Sequence, residues 1–314
     1  MSLEFEKPIL ELEAKIAELE RYAQESGVNL EEELKALRDR LARLKEETYS
    51  HLTRWQRIQI ARAPGRPTTL DVIAGVLEGF VELSGDRAFG DDPALVGGLA
   101  YFEGQPVVVV GHQKGRDTKE NLLRNFGMPH PEGYRKAMRL MDLADRFGRP
   151  LLSFIDTPGA YPGVSAEERG QAWVIAQSIQ RMARMRVPSV AVILGEGGSG
   201  GALAIGVANR VLILEYAWYS VISPESCAAI LWRDAKEAPK AAEALKPCAE
   251  DLLQLGVVDR VVPEPGGGAH RDPQGMFQNL RQALRETLAE LSSLSPEELF
   301  ESRYRRFRGL GAYG

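Results

Sequence analysis

Apolar residues recur every three or four positions through Ile9, Leu12, Ile16 and Leu19, and again through Leu30, Leu34, Leu37, Leu41 and Leu44. That spacing predicts two amphipathic helices. Ser26-Gly27-Val28-Asn29 lies between them, a glycine to stop one helix and an asparagine to cap the next, so the pair reads as a helical hairpin. Two heptad stretches this short are marginal alone. Their seams are expected to pack on another subunit or on the main body, with a self-contained coiled coil as the alternative. Ala63-Pro64-Gly65-Arg66-Pro67 closes this arm and sets a boundary near residue 65, after which Asp71 to Glu82 begins a new amphipathic pattern.

Beyond the boundary, β-rich runs alternate with helical spacings. Residues 95–102 and 106–112 flank Glu103-Gly104-Gln105 as a hairpin, and Val107-Val108-Val109-Val110 is too apolar for an exposed strand. Helices are predicted over 134–147, 166–185, 227–232 and 239–255, and strands over 151–155, 189–194, 211–214, 219–222 and 257–262. The alternation implies an α/β layered core over 66–265. Two helices close the chain, and the basic run from Arg303 to Arg308 reads as a solvated tail. Arg54, Arg57, Arg62 and Arg66 read as an exposed helix face, with an acidic partner as the alternative.

Composition shifts attention to the backbone. The 314 residues include 31 glycines but four histidines and two cysteines; ordinary glycine usage is ~7%. A net charge of −5 gives no general field for nucleic acid or anionic membrane, so bulk binding to either is not expected. Residues 1–6 lack the pattern of a signal peptide, and no uncharged apolar run approaches ~18 residues, so a soluble, cytoplasmic protein is expected. Cys227 and Cys248 form no paired zinc motif, and no metal site is expected in this chain.

The glycine surplus concentrates in Gly195-Glu196-Gly197-Gly198-Ser199-Gly200-Gly201-Ala202, between a buried-type strand and a small-residue helix. The stretch satisfies several patterns. Gly195-x-Gly197-x-x-Gly200, with Glu215 twenty residues on, is a dinucleotide fingerprint, although the interval to the next strand is short for a crossover helix. Gly197-x-Ser199-x-Gly201 fits a nucleophile elbow, for which His270, following Asp251 and Asp259, would be the base. Consecutive glycines before a helix also build an oxyanion hole from backbone amides, with no catalytic side chain. Close helix-to-strand packing is the plain structural reading.

A second small-residue loop, Asp156-Thr157-Pro158-Gly159-Ala160-Tyr161-Pro162-Gly163, follows the preceding strand, so one pocket built from both loops is expected. Asp156 reads as a holder of loop amides, with a general base as the alternative. Lys114 and Arg116, around Gly115, could meet phosphate or carboxylate or lie in a solvated loop.

These segments, with Gly111-His112-Gln113-Lys114-Gly115-Arg116, Asn125-Phe126-Gly127-Met128-Pro129 and Val221-Ile222-Ser223-Pro224-Glu225, resemble the carboxyltransferase alpha-subunit family of bacterial acetyl-CoA carboxylases, in order along almost the whole chain. The resemblance implies a crotonase-like (ClpP/crotonase) spiral of strand-strand-helix units over 66–270. An N-terminal helical arm (1–65) and a C-terminal helical tail (271–314) complete the expected organisation. It implies an α2β2 assembly that moves a carboxyl group from carboxybiotin, on the biotin carboxyl carrier protein, to acetyl-CoA. The product is malonyl-CoA for fatty acid synthesis, with biotin carboxylase in the wider complex.

In that family the Gly200 and Gly201 positions are those whose amides hold the biotin ureido oxygen. Gly197, Gly198, Ser199, Gly159, Ala160 and Tyr161 would shape the biotin side, and Lys114 and Arg116 would contact substrate or partner. The beta subunit would supply most of the CoA site and a zinc ribbon. Biotin supplies the base, and the protein supplies orientation and electrostatics. Ser226 stands where the family usually has glycine, and Ala63 where it often has histidine; neither is expected to touch the hole. A non-catalytic scaffold subunit and a stand-alone crotonase-type enzyme remain the alternative functions.

Overall fold

The computed structural model describes residues 3–311. Helices α1 (Lys7–Ser26) and α2 (Glu31–Ser50) form the hairpin. Gly27 closes α1 at φ +69°, donating its N–H to Ala23 O, and Asn29 Oδ1 accepts the Glu31 N–H at 3.0 Å. Arg271 Nη2, 2.5 Å from Glu13 Oε1, ties the hairpin to the body, while its own two ends are joined by Tyr49 OH, which donates to Glu6 Oε1 at 2.7 Å. Helix α3 (Arg54–Ala61) opens with a reciprocal Thr53–Gln56 capping box and buries Ile58 against Trp218.

Next come α4 (Thr69–Val76), β1 (Glu78–Glu82), β2 (Leu95–Phe102), β3 (Gln105–His112), α5 (Thr118–Leu123), α6 (Pro131–Phe147) and β4 (Leu151–Thr157). They are followed by α7 (Val164–Glu168), α8 (Gln171–Ala183), β5 (Ser189–Gly198), α9 (Ser199–Leu203), β6 (Arg210–Leu214) and β7 (Trp218–Ser220). The chain ends through α10 (Pro224–Trp232), α11 (Ala238–Leu245), α12 (Ala249–Gln254), β8 (Arg260–Val262), α13 (Pro273–Ser292) and α14 (Pro296–Gly309).

The sheet runs β1-β2-β3-β4-β5-β6-β8, antiparallel through β3 and parallel beyond it, with β7 paired to the far end of β5. The central parallel strands are buried along most of their length, which is why they read as continuous apolar runs. Helix α6 packs on β2, β3 and α8, and α13 packs on α4, β5 and β8. Met276, Phe277, Leu280 and Leu284 of α13 join the same hydrophobic core as the strands.

Several predicted elements change. The 166–185 helix breaks at Gly170, which sits at φ +81° between α7 and α8. The 239–255 helix breaks at Lys246, φ +49°, ahead of Pro247, and Cys248 there bridges to Trp218. The 71–82 pattern divides into the end of α4 and the strand β1. Strand β5 runs four residues past its apolar stretch, through Gly195–Gly198.

The arginine runs are also placed differently. Arg303 is buried, donating to Met185 O at 2.6 Å and Asn209 Oδ1 at 2.5 Å, and Arg306 donates to Val257 O at 2.6 Å. The run therefore anchors α14 instead of forming a solvated tail. Arg54 pairs with Asp251 at 2.6 Å and Arg66 with Glu264 at 2.6 Å, so the earlier cluster faces internal carboxylates. Among the described residues, no helix is long and apolar enough to cross a membrane.

Candidate active site

The two small-residue loops meet at the ends of β4 and β5. After a register shift, Thr157 pairs with Gly197, while the other edge of β5 pairs Gly197 with Tyr219 and Gly198 with Ser220. The approach is backbone to backbone. A Cβ on Gly198 would stand 2.0 Å from Pro158 O, and one on Gly201 would stand 2.5 Å from Ala160 N. Side chains at either position would force the loops apart. Gly200 differs, because a Cβ there would meet Ile175 at an ordinary 3.5 Å.

Ser199 turns the chain from strand to helix at φ +55°, a left-handed conformation that costs a non-glycine residue about 1 kcal/mol or more. Helix α9 then starts with no side-chain cap, since its N-cap is Gly198. Its first amides have no intrahelical acceptor. Gly159, Ala160 and Tyr161 on one side, and Ser199, Gly200 and Gly201 on the other, line a cavity of about 850 Å³. Gly197 and Gly198 sit buried in β5 behind it. Ser226 is also among the residues that line this cavity.

Lys114 and Arg116 line a neighbouring cavity of about 980 Å³ instead. Arg116 is exposed and pairs with Asp71. Lys114 Nζ lies 2.7 Å from Asp156 Oδ1 and 2.7 Å from Glu196 Oε2. Asp156 Oδ1 also accepts the Glu196 N–H at 2.9 Å, so this carboxylate holds an amide of the other loop. Arg62 Nε donates to Glu196 Oε1 at 2.6 Å, and its Nη1 reaches Glu225 on α10. Burial alone would push the Glu196 carboxyl up, but Lys114 and Arg62 hold it down at about 2. Burial works against the Lys114 ammonium, and Asp156 with Glu196 outweighs it and raises its pKa.

In the sequence, Glu196 and Glu225 stand out only as parts of motifs, and Arg62 falls on an expected outer face. A lone carboxylate inside a glycine run at the end of a buried strand was the available signal, because such a group needs a cation.

The rival patterns lose their required context. Gly195 and Gly197 of the fingerprint continue β5 and Gly200 lies in α9, a helix of five residues, while Glu215 Oε2 accepts the Glu264 N–H at 2.9 Å. The elbow has its turn at Ser199 but no histidine in the cavity lining, and His270 Nε2 sits 3.5 Å from Glu6. His112 is fully buried behind Gly201, and burial pushes its ring down to about 3.

The family described as "Acetyl co-enzyme A carboxylase carboxyltransferase-like" matches residues 2–311. The chain belongs to that family. It is 76% identical over 313 residues to an acetyl-coenzyme A carboxylase carboxyl transferase subunit alpha of Thermus thermophilus, covering 100% of this chain and 99% of that protein. It is 55% identical over 311 residues to the same subunit of Listeria monocytogenes, covering 99% and 98%.

Among solved structures, a transcarboxylase 12S with methylmalonyl-coenzyme A bound matches with TM-score 0.58 and 22% identity, over 73% of this chain and 42% of that one. A Pseudomonas malonate decarboxylase hetero-dimer matches with TM-score 0.55 and 24% identity, over 69% and 89%. These likenesses are of fold, and with the mixed α/β sheet they bear out the crotonase-like expectation. The recognition as an alpha subunit and the assignment to carboxyl transfer stand with the family.

Proposed function

We propose that this chain, assembled with a beta subunit as α2β2, moves the carboxyl group of carboxybiotin on a carrier protein to acetyl-CoA, giving malonyl-CoA for fatty acid synthesis. The observation that carries the reading is the slot where Gly201 abuts Ala160 and where the N-terminus of α9, without a side-chain cap, lines the cavity. A flat ureido ring with one oxygen suits that slot: the two loops meet there backbone to backbone, and Gly200 leaves space where a side chain would intrude. Biotin, when bound, supplies the basic nitrogen and the carboxyl group.

The chain's own part is to bind and orient. The Gly200 and Gly201 amides donate to the ureido oxygen as negative charge grows there, and one such donor is worth about 2.7–4 kcal/mol of transition-state stabilisation. Gly197 and Gly198 supply the close approach of strand and loop, and Ser199 supplies the turn. Gly159, Ala160 and Tyr161 form the opposite side of the slot. Arg116, exposed beside the second cavity, is the better placed of the two cations to meet substrate or partner.

Exposed Val164, Trp173, Val221, Ile230 and Leu231 sit on elements around the cavity, which supports a partner surface that covers it. The CoA site and any zinc ribbon are assigned to that beta subunit, with biotin carboxylase in the wider complex. Residues 1–65 would act as a docking arm, 66–270 as the carboxyltransferase core and 271–314 as its helical tail, in the cytoplasm. Malonyl-CoA formation by the reconstituted pair tests this reading.

A further inference from the structure

We infer that Lys114 and Arg62 are positioning residues for the proposed biotin cradle, acting through Asp156 and Glu196. The inference rests on the reading of residues 195–201 as that cradle, and it assigns the arm a part in the site.

Lys114 follows β3, Asp156 lies in β4 and Glu196 lies in β5, so one ammonium gathers the ends of three neighbouring strands. The Glu196 N–H on Asp156 Oδ1 closes the triangle. Each carboxylate begins one of the two loops. Two residues after Asp156 comes Pro158, whose carbonyl abuts Gly198, and four residues after Glu196 comes Gly200. The spacing of the carboxylates thereby sets the spacing of the slot.

Arg62 holds the second Glu196 oxygen and spans to Glu225 on α10. Arg62 and Glu196 line both cavities, so the network is the partition between them.

Stability alone does not account for such a partition. Apolar groups of similar volume commonly serve as well as a buried ion cluster, whereas loss of one partner leaves an uncompensated charge. What the ions add is fixed separation. Without Lys114, two carboxylates face each other across one amide, and their repulsion drives the loops apart. A displacement near 1 Å at such a site costs about 10²-fold in rate.

The test uses the full chain assembled with its beta subunit, comparing wild type, Lys114→Met, Lys114→Arg and the double change Lys114→Met with Asp156→Asn. Hydrogen–deuterium exchange of the 195–203 peptide is read beside kcat and the KM for acetyl-CoA. Lys114→Met is expected to raise exchange in that peptide and lower kcat about 10- to 100-fold, with KM within about twofold. Lys114→Arg and the double change, which restore charge balance in opposite ways, are expected to recover protection. If Lys114→Met fails to assemble, Arg62→Met, at the partly exposed edge of the network, carries the same readouts. Wild-type exchange and kcat in an assembled Lys114→Met or Arg62→Met complex overturn the inference. A wild-type complex that makes no malonyl-CoA overturns instead the functional reading beneath it.

Discussion

The backbones of Gly198 and Pro158 run so close that a Cβ added to Gly198 would stand 2.0 Å from the Pro158 carbonyl oxygen. That contact joins the ends of two parallel strands and makes a slot from main chain. The requirement for glycine is steric here, because Gly198 has ordinary extended dihedrals, φ −92° and ψ 125°.

Gly198→Ala is therefore free of dihedral strain and must still move the loop. The clash is with backbone, which cannot rotate away, so a loss of about 1–3 kcal/mol is expected, together with loss of transfer activity. Urea unfolding and a malonyl-CoA assay on the same preparation check this; a stable, fully active variant would refute the close approach.

Gly200→Val should behave oppositely in stability. The position has room beside Ile175, and valine has a better helix propensity than the glycine it replaces. The side chain would instead enter the cavity. Assembly by native mass measurement is expected to be intact, with transfer reduced by more than about 100-fold as the slot is blocked. Wild-type turnover would place the reacting group elsewhere.

Arg303→Met probes the anchor of α14. The guanidinium bonds neutral oxygens only, at Met185, Ser189 and Asn209, and burial pulls its pKa down to about 10. Removing it strands those buried acceptors, for an expected cost of about 2–4 kcal/mol. Denaturant unfolding measures it, and a change under about 0.5 kcal/mol, the range of ordinary surface sites, would contradict the anchoring role.

Stability should decline as the medium is acidified below about pH 6.5. His112 is held neutral, near 3 against an ordinary value of 6.5, so the unfolded chain takes its proton first and stability falls as pH drops through that window. Glu196 and Asp86, both held at about 2, extend the loss: their contribution is complete above about pH 4.5 and disappears toward pH 2. Asp92, raised to about 6 by burial, opposes this between about pH 4 and 6. The urea midpoint is expected to be lower at pH 5 than at pH 7.5, with the gap reduced in His112→Asn. An equal or higher midpoint at pH 5 would contradict the burial of a neutral ring.

Periodicity made the hairpin, the β2–β3 pair and the buried strands legible, because each depends on local spacing and on faces that water does not reach. The breaks at Gly170 and Lys246 were harder to see, since helical spacing continues across them and only the left-handed dihedrals show the stop. The extension of β5 into Gly195–Gly198 was hidden because its partner, β7, is supplied later in the chain. At the site, the loops at 156–163 and 195–202 were readable as one pocket. The ion network was not, because Arg62 and Glu196 meet across 134 positions of sequence. Burial likewise decides the fate of Arg303, whose neighbours Arg305 and Arg308 remain exposed.

The most direct measurement is malonyl-CoA formation from acetyl-CoA and a carboxylated biotin carrier, run with this chain alone, with the beta subunit alone, and with both. The account predicts product only from the pair, in proportion to the assembled complex. Full turnover by the beta subunit without this chain, or no product from an intact α2β2 assembly, would contradict it.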